Sequence, residues 1–177
     1  MNLTNFTNTT RLWSFQGFKT RARVVNVHDG DTLSVVFYFF DNVYKFNIRL
    51  AGIDACEIRN KDQGLLLKAH QARNRILQLI GVPNVDLEVI FTDKQVVTLL
   101  EEHLCMVDVH CRDFDKYGRI LADVYPSILL TPTLSSTPIT KWQLETIASI
   151  LLKESLVYCY NGGTKLTPAE QRNQLSV

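Results

Sequence analysis

Three short stretches of this sequence concentrate acids and arginines. The first is Asp29-Gly30-Asp31-Thr32. Asp-Gly is common hairpin-turn chemistry, and a turn alone would account for it. A turn needs only one aspartate, however, and Asp31 enters the following strand, where Asp is disfavoured. The second stretch runs from Arg49 through Asp54 to Glu57. Its two carboxylates, three residues apart, can share a hard cation or divide the roles of metal ligand and general base. A surface ion pair would also use these residues. The third is Asp113-Phe114-Asp115-Lys116-Tyr117-Gly118-Arg119. A guanidinium behind a glycine turn can fork onto phosphate oxygens, although a charged hairpin loop looks the same when it stands alone. Taken together, the three stretches hold the parts for metal-assisted phosphodiester hydrolysis. Carboxylates hold a hard ion that polarises a phosphoryl oxygen, a spare acid handles water, and two arginines neutralise charge on five-coordinate phosphorus.

Such side chains need a scaffold. Residues 1–18 are polar and aperiodic and read as a flexible tail, leaving 19–177 as one domain. Val24, Val25 and Val27 lead into the Asp29 turn, residues 32–40 are β-branched and aromatic, and Tyr44, Phe46, Ile48 and Leu50 alternate with polar residues. That is a three-stranded meander. Leu65, Ala69, Ala72, Ile76 and Leu79 form a helix stripe closed by Gly81 and Pro83. Alternation at Val85, Leu87, Val89 and Phe91 predicts a fourth strand, and 92–104 is polar and of uncertain form. Strands resume at 107–111 and 119–125, and the proline-rich 126–138 reads as a surface loop. Thr140 with Gln143 fits a capping box before a stripe of Leu144, Ile147, Ala148, Leu151 and Leu152. Thr167-Pro168 with Glu170 starts a short last helix. A five-stranded barrel with helices against it, of α+β class, satisfies this order and removes sheet edges.

Composition sets limits on function. Hydrophobic residues make up 46% and charged residues 21%, which excludes disordered and fibrous classes. No apolar run is long enough to span a bilayer, and the N-terminus lacks a signal-peptide pattern, so an intracellular protein without a membrane partner is expected. The net charge is only +1, but residues 11–75 hold 11 basic and 6 acidic residues, whereas 76–177 hold 8 and 12. A basic front half suits a polyanion. Cys56, Cys105, Cys111 and Cys159 make no C-x-x-C pair or zinc spacing and are read as free thiols.

In order along the chain, Asp29-Gly30-Asp31-Thr32, Arg49…Asp54…Glu57, Asp115-Lys116-Tyr117-Gly118-Arg119 and Tyr160-Asn161-Gly162-Gly163 resemble the motifs of the staphylococcal nuclease (thermonuclease) family. The resemblance covers about residue 21 to the end of the last helix. It implies a five-stranded OB-fold barrel with three helices and Ca²⁺-dependent hydrolysis of DNA and RNA by a monomer. It further implies that Asp31 and Asp54 ligate the metal through carboxylates and Ala55 through its carbonyl. Asp29 would be an acid on metal-bound water. Arg49 and Arg119 would clamp phosphate, Glu57 would position or activate water, and Lys116, Tyr117 and Tyr160 would line the substrate pocket. The chain departs from the family at Ala55-Cys56, where many members have Thr-Pro, in longer 92–104 and 126–138 segments, and in its near-neutral charge. A non-catalytic OB-fold module that binds nucleic acid is the competing expectation. Such a module has no reason to keep Asp31, Asp54 and Glu57 beside bound phosphate.

Overall fold

A computed structural model describes residues 3–127 and 145–177. Most of the 126–138 loop, the Thr140–Gln143 capping box and Leu144 lie outside the described residues. The expected meander is present as β1 (Lys19–Val27), β2 (Thr32–Phe39) and β3 (Asn42–Leu50). Later strands are β5 (Met106–Phe114) and β6 (Ile120–Pro126), with a two-residue β4 (Ile53–Asp54) before them and β7 (Tyr158–Cys159) after. The strands close into a barrel in the order β1-β2-β3-β6-β5, with β5 pairing back to β1. The β3–β6 pair is parallel and the others are antiparallel. Alternation places Val24, Leu33, Val35, Ile48, Leu50, Val107, Val109, Ile120 and Val124 inside, all buried. β4 and β7 form a separate two-stranded ladder beside the barrel.

Helix α1 (Gln63–Leu79) is capped by Asp62, whose carboxylate accepts from the backbone of Gly64 and Leu65. Of its expected stripe, Leu65, Ala69, Ala72 and Ile76 are buried and Leu79 is half-buried. α3 (Ile147–Lys153) and α4 (Pro168–Leu175) are the other two expected helices. α3 starts behind Thr146, and α4 carries the full Thr167–Glu170 capping box.

Two expectations need correction. The described residues hold four helices rather than three, the addition being α2 (Asp93–Glu102). Nor is there a strand at 85–91. The side chains of α1 take the backbone carbonyls that a strand ladder would use. Asn74 Nδ2 donates to the carbonyls of Asp86 (2.9 Å), Leu87 (3.3 Å) and Val89 (2.7 Å). Gln78 Nε2 donates to that of Val85 at 2.7 Å, and Arg73 to that of Phe91. Side-chain donors thus satisfy this backbone in an irregular path. The chain then enters α2 through a Thr92–Gln95 capping box and buries Val96 and Leu100.

The end of the expected tail is also packed. Phe15 is buried among Trp13, Phe18, Phe37, Phe39, Phe46 and Phe114, with ring centroids 4.9–6.3 Å from all six. Ser14 Oγ donates to Asp113 at 3.1 Å. The four cysteines are free, three of them buried. Among the described residues, no helix is long and apolar enough to cross a membrane.

Candidate active site

All ten residues singled out from the sequence line one cleft of about 980 Å³ at the side of the barrel. They arrive from five parts of the chain, the last being Tyr160 directly after β7. The β1–β2 turn brings Asp29 and Asp31, and this turn requires glycine at its centre. A Cβ on Gly30 would stand 2.7 Å from the Cβ of Ala72 on α1 and 2.9 Å from that of Ala55. Asp29 Oδ1 accepts from the Asp31 N–H at 2.9 Å and fixes the turn. β3 brings Arg49, opposite Thr32 on β2. β4 brings Asp54, opposite Tyr158 on β7. The β5–β6 turn brings Lys116, Tyr117 and Arg119.

Arg49 is the hub. One guanidinium nitrogen donates to Asp31, and the other to Asp54 Oδ1 (2.9 Å) and the Ile53 carbonyl (3.0 Å). The two aspartates are buried and not equivalent. Burial and the neighbouring Asp29 charge push Asp31 up to about 7, against the pull of Arg49 and a 2.6 Å hydrogen bond from Thr32. Burial acts in the same direction on Asp54. There, hydrogen bonds from Tyr158 and Arg49 and the charge of Lys165 prevail, and its carboxyl sits below the usual carboxylate range. Tyr158 is raised by burial and by donating to Asp54.

Arg119 is held differently. Its backbone N–H and Nε donate to Asp115 at 2.9 and 2.7 Å, and Nη1 donates to Thr32 Oγ1 at 3.0 Å. Thr32 therefore links the two arginines through Asp31. Aromatic rings flank both guanidinium groups. Arg49 lies 5.6 Å from the Tyr160 ring centroid, and Arg119 the same distance from that of Tyr117, which also carries Lys116 at 5.1 Å. Tyr117 is exposed, while Tyr160 is pinned through its hydroxyl to the Gly163 carbonyl at 2.7 Å.

Glu57 is the exposed acid of the cleft. It accepts from Lys165 Nζ at 2.7 Å. The same ammonium group stands 3.3 Å from the Ala55 carbonyl and 3.3 Å from Asp54 Oδ2. Lys165, Tyr158 and Thr32 are the site residues that sequence reasoning missed. Thr32 carried a local signal, since it closes the Asp29 motif. Lys165 and Tyr158 did not, because only the fold brings them to Asp54.

The described residues contain no group of three or more His, Cys, Asp or Glu side chains that could hold a metal ion. The expected ligand set needs only two carboxylates and a carbonyl. Asp31, Asp54 and Ala55 present these as oxygens only, which suits a hard cation rather than a soft one. The Lys165 ammonium, resting on oxygens of Asp54 and Ala55 from that set and of Glu57 beside it, is a stand-in cation there. Cys56, buried beside the cleft with its thiol pushed up to about 11 by burial, offers no thiolate. Chemically, the cleft combines acids of unlike proton affinity with two anchored guanidinium groups and rings at its rim. No protein-family model matches the chain, and no curated protein matches it.

Proposed function

We propose that this chain is a metal-dependent nuclease, similar to the staphylococcal nuclease family, that hydrolyses phosphodiester bonds of DNA or RNA on an OB-fold barrel. The observation that carries this reading is the convergence of all ten expected residues on one cleft from separate parts of the chain. The barrel order β1-β2-β3-β6-β5 supports the OB-fold assignment. Ca²⁺ would be held by Asp31, Asp54 and the Ala55 carbonyl and, when bound, would polarise a phosphoryl oxygen. Arg49 and Arg119 bind equatorial phosphate oxygens, each oriented beforehand by an acid: Arg49 by Asp31 and Asp54, Arg119 by Asp115. Glu57, exposed at the cleft edge, orients water and takes its proton. Tyr117 and Tyr160 flank the bases or sugars, and Lys116 meets backbone charge.

One observation favours the second reading, a nucleic-acid-binding module without catalysis. Asp31 and Asp54 are paired with Arg49, Glu57 with Lys165 and Asp115 with Arg119. Acids neutralised in this way do not repel phosphate. Digestion of plasmid DNA and of RNA with Ca²⁺, against excess EGTA, separates the two. The nuclease reading expects cleavage with Ca²⁺ and none with EGTA. Retention of an oligonucleotide in EGTA with no cleavage in Ca²⁺ would establish the binding module instead.

A further inference from the structure

Lys165 is placed where the cation of the proposed site belongs. Its ammonium nitrogen lies 2.7 Å from Glu57 Oε1, 3.3 Å from Asp54 Oδ2 and 3.3 Å from the Ala55 carbonyl oxygen. Two of those oxygens are proposed metal ligands and the third belongs to the proposed water-handling acid. An ammonium group and a divalent cation compete for the same lone pairs and repel each other.

The segment carrying Lys165 is anchored at both ends, and between them the Tyr160 hydroxyl donates to the Gly163 carbonyl two residues before Lys165. On one side, β7 pairs with β4. On the other, α4 is tied to α1 by Arg172 on Asp62, and to Tyr158 and the Leu166 carbonyl by Gln171. Between them, Gly162 and Gly163 have φ of +96° and +103°, the left-handed region that favours glycine. The Lys165 side chain is 39% exposed, so its head has a path to solvent without unpacking the core.

We propose, building on the metal-site reading above, that Lys165 is a tethered competitor of the divalent ion. It neutralises the empty ligand set, and metal entry and withdrawal of the Lys165 head are one event. Lys165 is thus a positioning residue that sets metal affinity without touching the reacting atoms. Removing its charge strengthens metal binding, the reverse of what loss of a structural ion pair would do.

The test is calorimetric titration of Ca²⁺ into the full chain as wild type, Lys165→Met and Lys165→Arg, each checked for a cooperative thermal unfolding transition in EGTA. Lys165→Met should bind Ca²⁺ about tenfold more tightly, and Lys165→Arg should stay near wild type. A second readout uses wild type alone and therefore survives a variant that fails to fold. Acetylation of Lys165 by an amine-reactive ester, followed by mass spectrometry, should speed up when Ca²⁺ is added. If wild type binds Ca²⁺ while Lys165→Met binds no tighter and acetylation does not accelerate, the competitor role is overturned and the metal site stands. If neither wild type nor Lys165→Met binds Ca²⁺, the metal-site reading falls, and this proposal with it.

Discussion

Arg49 and Arg73 are both buried, yet they face different things. Arg49 faces an open cleft across two buried aspartates. Arg73 lies at 0% exposure on α1 and donates to the Phe91 carbonyl, to Asp93 Oδ1 at 3.1 Å and toward His70 Nδ1 at 3.3 Å. Asp93, its ion-pair partner, is 77% exposed, so that pair adds little by itself. Arg73 instead supplies donors to backbone that has left the sheet. Burial of an arginine thus does not identify a working site. An arginine with acid partners and a route to ligand suits chemistry, and one with carbonyl partners in a closed interior acts as a bracket.

The largest expected effect tests that contrast at the cleft. Lysine keeps the charge of Arg49 or Arg119 but loses the planar pair of donors. Arg49→Lys and Arg119→Lys should each lower kcat by about 10²–10³-fold, the usual cost of losing a transition-state donor. If Arg49 only holds Asp31 and Asp54 in place, Arg49→Ala would lower the melting temperature and leave turnover of the folded fraction nearly intact.

Next come the acids. Glu57→Gln should depress kcat by about 10²-fold at unchanged Ca²⁺ requirement, as for loss of a general base. Asp54→Asn should instead raise the Ca²⁺ concentration needed for half-maximal activity. Equal loss of metal affinity in both variants would break the division of roles.

The bracket region should respond in stability alone. Arg73→Met leaves the Phe91 carbonyl short of a donor and should cost about 2–3 kcal/mol in urea unfolding. Turnover of the folded fraction should not change. A collapse of kcat at constant stability would erase the distinction between the two arginines.

The smallest effect is a pH slope. Burial and the Arg73 charge hold the His70 imidazole below its ordinary value of 6.5, against a weaker opposing pull from Asp93. Below 6.5 the unfolded chain therefore binds more protons at this residue than the folded chain does. Its contribution to stability is complete above that pH and is lost as pH falls toward the folded value. Between pH 7.5 and 5.5, wild type should lose more melting temperature than His70→Gln. Identical slopes would mean that His70 does not titrate with folding.

Much of this architecture was legible in the sequence, for physical reasons that also explain the failures. β1–β3, β5 and β6 bury one face against the barrel interior, so alternation marked them. The same pattern at Val85–Phe91 misled, because carbonyl capture by Arg73, Asn74 and Gln78 is a tertiary effect that periodicity does not encode. α2 was missed because it is a short helix that fully buries only Val96 and Leu100, although Val96, Leu99 and Leu100 stand at helical spacing. Its Thr92–Gln95 capping box was readable. At the cleft, the short motifs carried the acids and arginines. The β4–β7 ladder that sets Asp54 opposite Tyr158 has two residues on each side and leaves no pattern. The contacts of Lys165 with Asp54, Ala55 and Glu57 arise only when the chain closes.

The central claim is that this cleft cleaves phosphodiester bonds. Its most direct test is the initial rate of cleavage of a labelled single-stranded DNA oligonucleotide, and of its RNA counterpart, by wild type and Glu57→Gln side by side in Ca²⁺ and in EGTA. The expected result is cleavage by wild type in Ca²⁺, at least about 10²-fold slower cleavage by Glu57→Gln, and none in EGTA. Folded wild type that cleaves neither strand in Ca²⁺, or a Glu57→Gln variant as fast as wild type, would contradict it.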